Sequence, residues 1–507
     1  MSILEKVGDL VSDVRSIWNP SGAMASKLER ARYFAYQAAH ESRKDMRQPF
    51  DGQAEQMNSY SRSALRARAR DLERNNPMTG SILQAILNNA IGTGFNMQAQ
   101  TDNDAFNKRI EELWKEWEHH ENCDITQQQS LDDLIKLMVT RKYVDGGIMV
   151  TFPLDGRRKI PLTIQLHELD DLDSIVEPKD AKGHIVLNGV ELDTTGRPIA
   201  YWLKQTDPDG FTEIEPRRYD AKDVIFLWNR TRVSQFREIT AMARTIGITK
   251  DLGDYNDAVM FQQKIAACFS AFVETDNTMG APGRVANQAD GSRMESIEGG
   301  SIKYLKAGEH IKGLTPNAQV TDASNFLPLQ QRIIAADSGL SLESTSRNVE
   351  RVNYASARQN LLADQLTYGA IREELIEYLL RPLYKRFVDI CYLTGLLEGT
   401  GFKYGDSQYY KAVWLAASLG WIDPLKEAQA NAINLANGGK SYQEYCAEQG
   451  ADWRDRIDQM KEVQDYAATQ GVNLAFSMPD TTSADDSNKS DGEVDSGGTD
   501  GEENNDN

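Results

Sequence analysis

The chain has 507 residues, 40% of them apolar, enough for several domains or one large elongated subunit with sizeable cores. No run approaches the ~18 apolar residues that a membrane helix needs, so no membrane partner is expected. The formal net charge is −20, and Asp480 to Asn507 carries ten acidic residues against one lysine. That stretch has almost no apolar residue, so residues 476–507 are expected to be a disordered acidic tail.

Met1 to Lys6 lacks the apolar centre of a signal peptide, which points to synthesis in the cytoplasm. Cys123, Cys268, Cys391 and Cys446 are far apart and form no CxxC pair, so they read as reduced, buried residues. Between Lys27 and Arg70 the bias reverses, with ten Lys or Arg against five Asp or Glu. Arg62, Arg66 and Arg70 recur every fourth residue, so a helix aligns them on one face. That face is either a solvated surface or a contact for nucleic acid or an acidic neighbour.

Residues 1–50 read as a polar arm with a helical stretch near Leu28 to Ala39. A clearer helix starts at Pro77, with Asn76 as its cap, and Gly92 stops it. Phe106, Ile110, Leu113 and Trp117 step by four, three and four, which predicts a second helix. Ser130 can cap a third, ending near Gly146-Gly147. Ile148 to Phe152 and Leu162 to His167 then read as a hairpin around Pro153-Leu154-Asp155-Gly156. Gly189 to Leu192, Ile199 to Lys204 and Val224 to Trp228 are further strands.

A helix pattern returns from Ile239 to about Ile265, with Gly247 and Gly253 inside it. A loop-rich segment of turns and short strands follows, from Phe269 to Gly313. The next helix spans about Ala323 to Leu340. Arg347 to Asn353 is a polar, charged loop that runs into a helix from Ser356 to Leu380, which Pro382 kinks or ends. Residues 407–470 read as shorter helices around Trp414, Trp421 and Trp453.

Catalytic chemistry finds little support. Asn434 to Ser441 ends like a phosphate loop but lacks its first glycine, follows a helix pattern, and reads as a glycine-capped helix end. His119 and His120 diverge on a helix, and the Asp170, Asp171, Asp173 cluster lacks the glycine and glutamate of a calcium loop. No metal, no cofactor and no catalytic residue are expected.

Four blocks in order resemble the portal proteins of lambda-type tailed phages. They are Arg70 to Pro77 with Ile91-Gly92-Thr93-Gly94, Gly189 to Asp193 with Gly196 to Tyr201, Asn353-Tyr354-Ala355-Ser356-Ala357-Arg358, and Asp423 to Ala428. Together they cover most of residues 65–460. Phe226 stands where the family often has histidine, and Glu238 where glycine usually follows the Gln235-Phe236-Arg237 triplet.

The resemblance implies an α+β, mainly helical, portal-type elongated subunit with wing, stem, clip and crown. The family usually assembles into a ring of twelve at one capsid vertex. Mapped here, the N-terminal arm is 1–50 and the wing 51–235 plus 355–400. The stem is 236–265 and 319–340, the clip 266–318, the tunnel loop 341–354 and the crown 401–475. Arg347, Asn348, Arg351 and Asn353 become candidates for lining the DNA channel, with Arg62, Arg66 and Arg70 as further basic candidates. The implied partners are other copies of the chain, double-stranded DNA without sequence preference, the terminase large subunit, the major capsid protein and head-completion or neck proteins. The alternatives are a virion connector without a DNA channel and, less favoured, a DNA-packaging enzyme. For Arg347 and Arg351 the alternative is exposed ion pairing with Glu343 or Glu350.

Overall fold

A computed structural model describes residues 52–59, 61–173, 184–206, 213–267, 271–275, 309–313, 323–348, 353–416 and 424–472. The arm, the acidic tail, Cys268, Trp421, Arg351 and most of the expected clip lie outside these residues. The chain divides into two units. The smaller includes residues up to Ser63 and Arg230–Arg237. In it, helix α1 (Ala54–Asn58) meets the 230–237 loop: Ser234 Oγ accepts from Ala54 N–H at 3.0 Å, and Arg232 donates to Gly52 O at 3.1 Å. Buried Gln235 folds the loop, accepting from Thr231 N–H at 3.0 Å and donating to Arg237 O at 2.8 Å.

The larger unit begins within α2 (Arg62–Asn75). Asn76 caps α3 (Pro77–Ile86) as expected, accepting from Met78 N–H at 2.9 Å, with Pro77 at the first turn. A π-turn, Leu87–Ile91, widens the helix end, and Gly92 closes it at φ 61°. Strand β1 (Phe95–Ala99) follows, then α4 (Asp104–Trp117). Phe106, Ile110, Leu113 and Trp117 are all buried, as their spacing predicts. Ser130 caps α5 (Leu131–Val144), accepting from Asp133 N–H at 3.3 Å.

Burial, with Asp132 adding, pushes the Glu118 carboxyl at the end of α4 up to about 7. In the unfolded chain it titrates near ~4.3. The folded chain therefore holds this proton more tightly, and the associated stability is full below that value and lost as pH rises to about 7. Glu118→Gln is expected to stabilise the protein at pH 8 and change little at pH 4. Denaturant midpoints at the two pH values check this; equal shifts would contradict it.

Strand β2 (Gly147–Thr151) is the centre of a three-stranded antiparallel sheet, between β3 (Gln165–His167) and a later strand, Val224–Trp228. A second, four-stranded sheet contains β4 (Ile185–Leu187), β5 (Val190–Leu192), β6 (Pro198–Thr206) and β7 (Glu213–Asp220). Sequence reading had not placed β4 or β7. The β4–β5 hairpin turns on Asn188-Gly189, with φ 49° and 82°. A Cβ at Gly189 would meet Leu172 O at 2.3 Å, so the position needs glycine for space as well as φ. Val224–Trp228 is β8, where Phe226 packs edge-on against Tyr201, ring centroids 5.8 Å apart.

Helix α6 (Ile246–Ala267) starts later than expected, because Thr240 caps a 3-10 turn over Ala241–Arg244 first. Gly247 and Gly253 do not interrupt it. At 1.5 Å per residue it is ~33 Å long. Strands β9 (Ala271–Thr275) and β10 (Glu309–Gly313) pair antiparallel, and α7 (Ala323–Asp337) follows. Tyr255 meets Phe326 at 5.0 Å between α6 and α7. Met260, Phe261, Leu329 and Ile333 stay exposed on these two helices.

A one-turn helix α8 (Leu342–Ser346) precedes α9 (Tyr354–Leu375). Pro382 neither kinks the chain to a stop nor ends it. A π-turn, Ile376–Leu380, opens the helix just before the proline, and α10 (Arg381–Leu393) continues with Pro382 in its first turn. There the missing N–H is tolerated.

The expected helix around Trp414 is instead β11 (Ala412–Ala416), antiparallel to β1 with Trp414 opposite Met97. The first part of the expected crown is therefore built into the main core. Trp114 on α4 meets Phe387 of α10 at 5.0 Å and Trp414 at 5.2 Å. Phe402 and Tyr409 pack on Phe106. Each such buried aromatic ring is worth about 3–5 kcal/mol against alanine. Helices α11 (Pro424–Ala436), α12 (Tyr442–Glu448) and α13 (Trp453–Thr469) complete the described chain. Cys123, Cys391 and Cys446 are free and buried, as expected. No described helix is long and apolar enough to cross a membrane.

Candidate functional site

The segment between α7 and α9 is fixed at its root by one carboxylate. Asp364, buried on α9, accepts from Ser341 N–H at 2.7 Å, from Ser341 Oγ at 2.6 Å and from Ser344 Oγ. Ser341 in turn caps α8, accepting from Ser344 N–H at 3.2 Å. Asn360 donates to Glu343 at 2.9 Å, and Thr367 donates to Gly339 O at 2.7 Å. Ser81 on α3 donates to Thr345 O. Three elements thus hold one turn of helix in place.

Beyond that clamp the side chains change role. Arg347 closes α8 in the left-handed conformation, φ 55°, with its N–H donating to Glu343 O at 2.8 Å and its guanidinium end exposed. Non-glycine residues adopt this conformation rarely, and here the cap bond holds it. Asn348 N–H donates to Ser346 Oγ at 3.3 Å. Asn353 is exposed, but its amide oxygen caps α9 by accepting from Ser356 N–H at 2.8 Å. Its role is local folding as much as contact. Arg351 lies outside the described residues. Tyr368, one turn from Asp364, has its hydroxyl pKa raised by burial and by that neighbouring charge. Asn89 donates to it at 3.3 Å. Arg372 on α9 donates to Asn89 O and Ala90 O at 2.7 and 2.8 Å, tying α9 to the π-turn after α3.

The arginine face of α2 is real but turned inward, so its reading as an exposed basic surface is corrected. Arg62 and Arg66 are buried. Arg62 bonds Glu55 at 2.5 Å. Arg66 reaches Asp170 at 3.0 Å and Glu238 at 3.6 Å. Arg70 forks onto Asp145 at 2.8 and 2.9 Å and also meets Asp170 at 2.7 Å. The bond to Asp145 raises the Arg70 pKa despite burial. Burial alone would raise Asp170, but Arg66 and Arg70 outweigh it and hold that carboxyl below its usual value. Carboxylates from four separate segments consume these charges, which the spacing could not reveal.

The remaining motifs resolve as local structure. Gly438 ends α11 at φ 71°, and Ser441 with Glu444 forms a capping box on α12. The phosphate-loop resemblance is thus a helix end followed by a helix start. His119 and His120 are exposed. No group of acidic, histidine or cysteine side chains among the described residues is arranged to hold a metal ion.

Residues 40–372 match the lambda family of phage portal proteins. The chain belongs to that family. It is a portal protein, a structural component of the virion that forms the ring at the capsid vertex. This portal chain is 25% identical to a "probable portal protein" of Halomonas phage phiHAP-1, over 81% of this chain and 82% of the other. It is 21% identical to the portal protein of Escherichia phage N15, with 82% and 86% covered. Portal protein B of Escherichia phage lambda is 20% identical, with 77% and 81% covered. Among solved structures, a chain in the neck of the native gene transfer agent particle computed with C12 symmetry is 12% identical, with a TM-score of 0.44. It covers 75% of the portal chain and 92% of its own length.

Proposed function

We propose that twelve copies close around an axial channel through which double-stranded DNA is packaged and ejected. The ring's outer parts dock the terminase large subunit, the major capsid protein and head-completion proteins. In this reading the role is structural rather than catalytic, with no cofactor. Helices α6 and α7 form the stem, β9 and β10 belong to the clip, 341–354 is the tunnel loop, and α11 to α13 belong to the crown.

One observation carries this reading. The tunnel segment is clamped at its root through Asp364, while the Arg347 side chain beyond the clamp is exposed. A rigid mount with a cationic tip can steady a duplex. Each added phosphate contact steepens the salt dependence of binding, so a channel that lets DNA slide is best served by few of them. An acidic body supports the same end. The contacts are to backbone phosphate, so sequence is not read. The exposed Met260, Phe261, Leu329 and Ile333 suit burial against neighbouring stems.

Replacing Arg347 and Arg351 together with alanine tests the reading. Ring assembly is expected to persist, while packaged DNA retained per particle falls and its loss becomes less dependent on salt. Loss of assembly would make these residues structural and contradict the proposal.

A further inference from the structure

A cleft of about 640 Å³ opens where α10 begins beside β11. Its aromatic walls are Tyr384, Tyr410 and Trp414. Its rim carries Arg381, Lys385 and Lys411 against one carboxylate, Glu377, which pairs with Arg381. Lys385 lies 5.8 Å over the Tyr410 ring, whose hydroxyl donates to Asp389 at 2.6 Å. The rim therefore keeps a net positive charge.

Two features mark the cleft as more than a surface fold. The Tyr384 hydroxyl and the Trp414 indole N–H are buried and have no hydrogen-bond partner. Buried polar groups are nearly always paired, and an indole N–H can only donate, so the walls suit an acceptor. The π-turn Ile376–Leu380 supplies Glu377 to the rim, and such turns are frequent at functional sites.

We propose that this cleft binds the chain's own C-terminal segment, residues 473–486. Leu474, Phe476 and Met478 alternate, so an extended chain puts all three on one face. Asp480, Asp485 and Asp486 follow. The apolar face matches the aromatic walls, the carboxylates match the basic rim, and the segment's carbonyls are acceptors for Tyr384 and Trp414. The path is short enough. Glu111 accepts from Ala99 N–H at 2.8 Å, next to Gln100 of the cleft. The start of α13 is near this point, since Asp452 and Asp455 add to the burial that raises Glu111. Helix α13 carries the chain ~25 Å away. The eight residues from Val472 to Asp480 span up to ~28 Å when extended, enough to return.

The test uses the full-length protein, a chain ended at Val472, and a fluorescent peptide of residues 473–486 read by anisotropy. The peptide is expected to bind the shortened chain at least about tenfold more tightly than the full-length one, whose own segment competes. Lys385→Glu with Lys411→Glu, or Phe476→Ala in the peptide, each weakens binding about tenfold. Equal binding to both chains, or by a scrambled peptide, overturns the proposal. Carbodiimide cross-linking of the intact full-length assembly gives an independent readout. It is expected to join Lys385 or Lys411 to Asp480, Asp485 or Asp486. Cross-links from the segment only to other lysines overturn the proposal, as does masking of Lys385 and Lys411 by duplex DNA in place of the segment.

Discussion

Asp364→Ala is expected to loosen the tunnel segment more than any change at its tip. The substitution strips the acceptor from Ser341 N–H, Ser341 Oγ and Ser344 Oγ together. A hydrogen bond to a charged group contributes about 1.5–3 kcal/mol, and a donor left buried without a partner adds cost. The three bonds share one carboxylate and are not additive, so the loss is about 3–5 kcal/mol. It falls locally, on α8 and the turn before it. Hydrogen exchange over residues 339–348 is the direct readout, with α4 as an internal reference. Faster exchange at 339–348 with α4 unchanged supports the clamp. Unchanged exchange throughout would mean that Ser81, Thr367 and Asn360 hold the segment without Asp364. Because Arg347 depends on this mount, Asp364→Ala is also expected to copy the DNA-retention defect of the Arg347 variant.

Arg70→Ala carries the second large effect, about 3 kcal/mol of stability. The cost comes from Asp145, whose side chain is 1% exposed and loses its forked partner. Breaking a buried ion pair on one side costs about 3–5 kcal/mol. The lower figure applies because Arg141 remains 3.6 Å from Asp145. Removing both charges, as Arg70→Met with Asp145→Leu, is expected to recover most of the loss. Chemical denaturation of the three proteins reads this out. If Arg70→Ala instead left stability unchanged and weakened DNA binding in a salt-dependent way, the face would be a nucleic-acid contact.

Local signals in the sequence carried most of the helices. The Asn76-Pro77 start, the four-three-four stripe ending at Trp117 and the Ser130 cap all stand where their residues put them, because a cap or a stripe acts within a few residues. Asn188-Gly189 was a legible hairpin signal that went unused, and it would have found β4. Trp414 was harder. Its strand pairs with β1, more than 300 residues earlier, and nothing beside it in sequence reports that partner. The arginine face shows the same limit. Spacing fixes which side chains share a face, while the direction of that face is set by Asp145 and Asp170 from elsewhere in the chain. Asp364 left no local trace either, since the serines it holds lie 20 and 23 residues before it. The Ser341-x-x-Ser344 pair was the one clue, marking a capped turn that needed an outside acceptor. Pro382 misled for a physical reason: the π-turn before it absorbs the clash that would otherwise end the helix.

The account rests on identical copies burying the exposed apolar side chains of α6 and α7 around a central hole. Averaged end-on electron micrographs of the purified full-length protein test this directly. They are predicted to show closed rings of uniform subunit number with an axial opening wide enough for duplex DNA. A monodisperse single copy at high concentration, or a closed assembly with no opening on its axis, would contradict it.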